Sequence, residues 1–345
     1  MLIYWLLFLY FAIGVFASPA GVAARPRSPA FLTFGAVIIA LVVGFRYKVG
    51  ADWYAYDIIF NSSPRYSFWK MLEFGDPAYQ ALNWILFHQG FGFWAVNLIC
   101  GAIFSWGLLR FVRVQPSPWL AMTIAIPYIV IVVGMGYTRQ GVALGILLAG
   151  IAAQARGAST LNFAVYCAAA ASFHASAAIV FPLVALSAER NRAINVLITI
   201  SVGYLLYGAF IQDDARIANY IESGLSSQGA FIRVSLNVVA ALVFLVAGRR
   251  MGFTEREYRL WRNFSLAALG FVVLLAVFPS TTAVDRLSLY IMPIQVGVLA
   301  RAAGLGRSQI SGLLAIVGYS AAIQFVWLNF AQHSRLWIPY QFYPL

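Results

Sequence analysis

Five short polar stretches interrupt an otherwise oily sequence: GFRYKVGADWYAY (Gly44 to Tyr56), GYTRQG (Gly136 to Gly141), SFHAS (Ser172 to Ser176), VDRLSLY (Val284 to Tyr290) and SRLWIPY (Ser334 to Tyr340). They carry Arg46, Arg139 and Arg286. Arginine suits phosphate, because its planar fork holds two oxygens at once and stays charged beside a low-dielectric phase. They also carry Asp52 and His174, and as a second choice Asp285, as groups able to take a proton from a hydroxyl. Trp53, Tyr54, Tyr56, Trp337 and Tyr340 offer flat faces for sugar rings, while Gln140 and Tyr290 can orient sugar or phosphate. Tyr56 follows Asp52 by four positions and Tyr290 follows Arg286 by four, so each pair shares a face wherever the chain is helical.

The elements that hold these residues are apolar. Of 345 residues, 62% are hydrophobic and 10% charged, with a mean hydropathy of +0.81. A soluble domain of this length cannot hide so much apolar surface, so the chain is read as one all-α integral membrane domain, residues 1–345. A crossing helix needs roughly 20 apolar residues. The runs predict about twelve spans, near 2 to 18, 30 to 45, 91 to 111, 119 to 136, 138 to 155, 160 to 173, 175 to 188, 193 to 211, 230 to 248, 263 to 279, 285 to 301 and 310 to 330. The sixth and seventh are short, and read either as half-helices meeting at Phe173 and His174 or as one long tilted helix. The first lacks a positively charged flank and reads as a retained span.

Charge asymmetry sets the orientation. With a hairpin at His174 and an outside N-terminus, the cytoplasmic breaks hold Arg25, Arg27, Arg110, Arg113, Arg156, Arg190, Arg192, Arg249, Arg250, Arg256, Arg259, Arg262, Arg301 and Arg307, against the acids Glu189, Glu255 and Glu257. That is 14 of 23 basic residues and 3 of 11 acids, giving +11 inside and +1 outside, as the positive-inside rule asks. The outer segments are then 46–90, 212–229 and the tail 331–345. Within the first, AYQALNWILFHQG is too short and polar to cross and reads as a re-entrant or interfacial helix. Spans five, seven and eleven begin outside, which predicts Arg139, His174 and Arg286 at helix N-termini, where unpaired N–H groups favour anions. A lipid-linked diphosphate is the anion this arrangement suits.

Taken singly, each residue has a plainer reading. A boundary arginine commonly snorkels, Asp285 resembles a helix N-cap, His174 can simply hydrogen-bond in a hairpin, and Arg65, Lys70, Arg335, Asp213, Asp214 and Glu222 read as solvated loop charges. The coincidence of several clusters at one face favours function. The net charge of +12 does not indicate nucleic acid, since no basic tract or aromatic-interleaved basic face exists. Cys100 and Cys167 lie in apolar runs, apart from any metal-like spacing, and no metal or cofactor is expected.

At these residues the sequence resembles the EpsG family of multi-pass bacterial membrane proteins, grouped with Wzy-type polysaccharide polymerases. The match rests on FRYKVGADWYAY, TRQGVAL, SFHASA, DRLSLY and WIPY, in the family's order across residues 45 to 340. Ala51 departs from it, standing where the family commonly has Thr and removing one hydroxyl beside Asp52. The resemblance implies a GT-C-like helical architecture in the bacterial cytoplasmic (inner) membrane. It also implies transfer of a growing glycan from undecaprenyl diphosphate to the non-reducing end of an incoming lipid-linked repeat unit at the outer face. A chain-length regulator of polysaccharide export is a plausible partner on the same basis.

Glycosyl transfer of this kind needs the departing diphosphate stabilised and the acceptor hydroxyl deprotonated. Three alternatives share parts of that reading. A GT-C-type transferase using a polyprenyl phosphate sugar has nearly the same needs. A lipid-linked glycan transporter would place polar groups deep on both sides of the midplane or duplicate its halves. A membrane acyltransferase would want His174 on the cytoplasmic side. The first outer loop contains no DxD-like pair, which argues against an obligate metal and a nucleotide sugar.

Overall fold

In an apolar medium a chain must pair its own backbone N–H and C=O groups, and the apolar runs of this sequence duly become helices. The structure is a computed structural model that describes residues 1–18, 29–188, 192–210, 227, 229–306 and 308–344. Helices α1 (Leu2–Ala17) and α2 (Pro29–Gly44) precede the polar segment, which folds as α3 (Trp53–Ser62), α4 (Phe68–Leu72) and α5 (Pro77–His88). Then come α6 (Phe93–Val112), α7 (Pro118–Ala125), α8 (Thr138–Ala155), α9 (Thr160–Phe173), α10 (Val180–Ala185) and α11 (Arg192–Phe210). The last group is α12 (Ala230–Ala247), α13 (Glu255–Val277), α14 (Thr281–Ser288), α15 (Pro293–Ala302) and α16 (Gln309–Phe330). Among the described residues there is no β-strand, only an isolated antiparallel bridge between Arg46 and Phe342. One continuous apolar cluster, from Tyr4 to Trp337, joins these helices.

Among the described residues, four helices are long and apolar enough to cross a bilayer: Phe93–Val112, Ala230–Arg250, Glu255–Val277 and Gln309–Phe330. The bent pair Thr281–Ile291 and Pro293–Leu305 makes a fifth, and the other apolar helices have 10–17 residues. Arg25, Arg27, Glu189, Arg190 and Arg307, and the loop acids Asp213, Asp214 and Glu222, lie outside the described residues. Arg65 and Arg335 are exposed, and Lys70 pairs with Glu73 on the surface at 2.6 Å.

Four boundaries differ from the sequence reading, each for a local reason. The helix expected from 263 begins at Glu255, because Thr254 and Glu257 form a capping box that satisfies the first turn. The run at 119 to 136 changes at Ile126 into a π-helical stretch that ends at Gly134, with Pro127 near its start removing a backbone donor. The choice at His174 resolves as a break: α9 ends at Phe173, His174 is extended (φ −158°, ψ 112°), and a 3₁₀ turn over Ala175–Ile179 leads into α10. The eleventh run is bent by 46° ahead of Pro293, which cannot donate to the preceding turn. Its first helix starts at the Ser280 cap, so Arg286 lies in the last turn of α14 and not at a helix N-terminus. Asp285 is likewise inside that helix, and the cap is Ser280.

Helix α8 measures the separation of the two charged ends. Arg139 stands in its first turn and Gln154 near its end, roughly 22 Å apart at 1.5 Å per residue. Gln154 accepts from Arg256, and nearby Arg301 pairs with Glu257 at 2.6 Å and donates to Gln115 at 2.8 Å. Of the arginines assigned to the cytoplasmic breaks, Arg156, Arg256 and Arg301 thus lie at one end of α8, and Arg139 lies at the other. Asp285, Arg286 and Thr138 mark that second end.

The middle of α8 is held against α6 by missing side chains. A Cβ on Gly107 would lie 1.8 Å from the Gly145 carbonyl oxygen, and one on Gly145 would lie 2.5 Å from the Phe104 Cα. Both obstacles are backbone, so neither can swing away. Small residues at such crossings let helices approach closely in a bilayer. We predict that Gly145→Val costs at least the ~1–3 kcal/mol typical of overpacking and lowers the melting temperature of detergent-solubilised protein by several degrees. Unchanged melting would show that α6 and α8 do not cross there.

Candidate functional site

The site is assembled by residues that end helices or begin them. Asp76 precedes α5 in the left-handed conformation (φ 52°) and is fully buried. One of its carboxylate oxygens accepts the Ala175 N–H at 3.2 Å, and the other pairs with Arg139 at 2.7 Å and lies 3.5 Å from His174 Nδ1. One carboxylate therefore fixes the start of α8 and the break after α9 against α5. Arg139 lies over the rings of Tyr56, 5.4 Å away, and Tyr79, 5.9 Å away, so aromatic faces support it where water does not.

A second pair lies beside the first. Arg286 meets Asp52 at 3.3 Å, donates to Gln140 Oε1 at 3.1 Å and covers the Tyr137 ring at 4.0 Å, while Gln140 donates back to the Arg286 carbonyl at 3.2 Å. Asp52 immediately precedes α3, and Tyr56 donates its backbone N–H to the Asp52 carbonyl at 3.1 Å. Tyr56 is the centre of the group, since Asp52, Arg139 and Arg286 all lie close enough to act on its charge. Burial foremost, with Asp52 behind it, pushes the Tyr56 phenol up to about 12, so it stays a neutral donor at physiological pH. Burial also holds Tyr79 well above the usual phenol range. Tyr290 is buried next to Ser176 and Gln140.

Exposure divides the charged side chains into two sets. Asp52 (29%), Arg286 (25%), His174 (21%) and Arg139 (20%) keep part of their surface open, whereas Asp76 (0%), Asp285 (5%) and Arg233 (9%) are shut in. The closed residues brace and the open ones can meet a ligand. Contact length agrees: 2.7 Å for Arg139 with Asp76 is a tight charge-assisted bond, and 3.3 Å for Arg286 with Asp52 is a loose one.

Several predicted site residues are enclosed in packing or spend their polar atoms on neighbouring elements. Arg46 is buried, donating to the Val43 carbonyl and to Thr138 Oγ1 at 2.5 Å, so it caps α2 and ties it to α8 instead of facing an opening. Asp285 is gripped by both Arg233 Nε and Nη2 and also accepts from Ser227 Oγ at 2.9 Å. Its proton-accepting capacity is occupied, which disfavours it as a base. Trp53 is buried against Tyr47 and Phe93. Trp337 is buried against Trp327, donates to the Ile131 carbonyl of the π-helical stretch at 2.8 Å, and fills space that a side chain at Gly136 would occupy. Tyr340 donates to the Val42 carbonyl at 2.7 Å and meets the edge of Tyr4.

The terminal WIPY stretch is thus a strap on the first motif. Tyr47 donates to Gln341, Tyr343 to Phe45 and Gly50 to Leu336, at 2.8–2.9 Å. Gly50 has φ +106°, and a Cβ there would sit 2.3 Å from the Met135 carbonyl oxygen, so glycine is required twice over.

Two residues of the cluster were missed in the sequence. Asp76 had a signal, since Gly-Asp-Pro ahead of a helix marks a turn with an acidic start. Arg233 had another, as a lone arginine inside an apolar run is functional or paired by default. Among the described residues, no group of three or more His, Cys, Asp or Glu side chains is placed to hold a metal ion.

The sequence model of one family, described as the EpsG family, matches residues 30–342. No curated protein and no solved structure matches the chain.

The two ion pairs differ in a measurable way. Losing one partner of a buried pair costs ~3–5 kcal/mol, against ~1 kcal/mol or less for an exposed pair. We predict that Asp76→Ala melts far below the native protein in detergent while Asp52→Ala melts within a few degrees of it. Equal melting of the two variants would remove the distinction between brace and ligand-facing residue.

Proposed function

The chain belongs to the EpsG family, a family of Wzy-like polymerases in exopolysaccharide synthesis, and from that premise we propose that it joins lipid-linked oligosaccharides at the Asp52–Arg286–Arg139–His174 opening. The observation that carries this reading is the pair of part-exposed arginines near Tyr56, each held by a carboxylate and an aromatic face. Two adjacent guanidinium groups match a diphosphate, which offers oxygens on both phosphorus atoms.

In this reading the growing glycan enters as an undecaprenyl diphosphate conjugate and the acceptor is a second lipid-linked unit. The acceptor hydroxyl oxygen forms a bond to the anomeric carbon of the growing chain. The bond from that carbon to the diphosphate oxygen breaks, and the lipid diphosphate leaves with the electron pair. Arg286 and Arg139 stabilise the charge that develops on it. The hydroxyl proton passes to a base, for which Asp52 is the first choice. When Arg286 turns to the diphosphate it releases the loosely held Asp52 carboxylate, so leaving-group binding uncovers the base. His174, beside Asp76, is the second choice, and Gln140 orients Arg286.

The polar end of α8 faces the outside of the cytoplasmic membrane in this proposal, because the arginine-rich opposite end satisfies the positive-inside rule. About twelve crossings, a single membrane domain and a GT-C-like architecture belong to the same proposal and rest on the apolar runs and the family resemblance. So does a chain-length regulator as partner.

A general base contributes roughly 10²–10⁴-fold to a rate. In vesicles supplied with a lipid-linked oligosaccharide and no nucleotide sugar, the native protein is expected to lengthen the glycan. Asp52→Asn and Arg286→Ala should each slow elongation at least ~100-fold, on the same scale, while the variants remain folded in the membrane. Normal chain length in both variants would sink the site. Transfer from a polyprenyl phosphate sugar in place of the oligosaccharide would identify a monosaccharide transferase.

A further inference from the structure

Beside the charged cluster the bundle encloses a cavity of about 430 Å³ whose walls are almost wholly apolar. That volume falls within the ~300–1,000 Å³ range of small-molecule sites. It runs along one face of α16, lined by Tyr319, Ala322, Ile323, Val326, Trp327 and Phe330, at the helical spacing of three and four. From Tyr319 to Phe330 this is about 16 Å at 1.5 Å per residue, a length that suits a chain more than a compact head group. Its opposite wall is the first turns of α12, with Ile232, Arg233 and Leu236. Ile232, Val326 and Phe330 are exposed on the apolar outer surface of the bundle, so the cavity opens sideways, where acyl chains would lie.

Its other end is polar and is shared with the site. Tyr137 lines the cavity and lies under the Arg286 guanidinium at 4.0 Å, and Arg233 lines it while gripping Asp285, the neighbour of Arg286 in α14. We propose that this cavity holds the isoprenoid chain nearest the diphosphate of the lipid-linked substrate, with Arg233 and Tyr137 at the junction between chain and diphosphate. The proposal rests on the polymerase reading of the neighbouring site. A ligand with an anionic head and an extended apolar tail satisfies both ends at once: the head reaches Arg286, and the tail runs along α16 toward the lateral opening.

The test is a polyprenyl diphosphate without sugar, carrying a diazirine on its second isoprene unit, photolysed with the full-length protein in liposomes. Adducts are expected on Leu236, Ile323 or Val326 and should disappear with excess unlabelled polyprenyl diphosphate. Ala322→Trp, which fills the cavity outside the charged cluster, should reduce labelling at least tenfold, and competition on the native protein gives the same readout if that variant does not fold. Labelling scattered over the outer faces of the helices would overturn the proposal. So would equal labelling by a diazirine phospholipid that polyprenyl diphosphate does not displace, because ordinary bilayer lipid would then fill the cavity. Elongation without cavity labelling refutes the groove and leaves the polymerase intact. Specific labelling without elongation supports the groove and refutes the polymerase.

Discussion

A carboxylate buried at the end of a membrane helix bundle has to be paid for by its neighbours, and Asp76 sets where those neighbours go. Leaving one such charge uncompensated costs several kcal/mol. Arg139, His174 and the Ala175 N–H all converge on it, so α5, α8 and the turn after α9 share one anchor. The short helix α5 is thereby docked on the bundle, although at 12 residues it spans only about 18 Å and cannot cross a bilayer. Tyr79, three residues after Asp76, then supplies one of the two rings beneath Arg139. The position of the first half-open arginine is a consequence of the buried acid.

Three further arginines at this end of the bundle show how one residue type divides its labour. Arg46 spends its donors on the polypeptide, Arg233 spends its fork on Asp285, and Arg286 keeps a loose, part-exposed contact. Context explains the difference. Arg46 is enclosed by the terminal strap, which pairs with Phe45, Tyr47 and Gly50 on either side of it. Arg233 lies in a long apolar helix and needs a carboxylate to be there at all. Arg286 sits where α14 ends and the bend begins, and its side chain stays a quarter exposed beside Asp52, Gln140 and Tyr137.

Much of this was legible in the sequence, and what was not shares a cause. Apolar runs located the helices because their length and composition are one-dimensional properties, and Pro127, Pro293 and the Thr254–Glu257 box account for most of the displaced boundaries. The five motifs converge on one end of α8. Side-chain direction is another matter. Trp337 and Tyr340 read as sugar platforms because aromatics at a polar boundary do serve that way, yet a freed carbonyl in the π-helical stretch and the end of α2 claim their donors. Arg233 escaped notice because its partner Asp285 lies 52 positions away.

The pairing of each open arginine with an acid answers a constraint that any diphosphate site at a membrane boundary must meet. Bare adjacent guanidinium groups repel one another and are poorly solvated near a low-dielectric phase. Carboxylates placed as resident counter-ions let the site fold without its ligand, but a counter-ion held too tightly would exclude the substrate. The two pairs divide these demands: Asp76, itself out of solvent, holds Arg139 at 2.7 Å, and the part-exposed Asp52 holds Arg286 at 3.3 Å. In the proposed reaction the loose pair is the one the diphosphate displaces, leaving its acid to meet the incoming hydroxyl. Under the proposed chemistry the tight pair keeps the site assembled, and the opening of the loose pair prepares it to react.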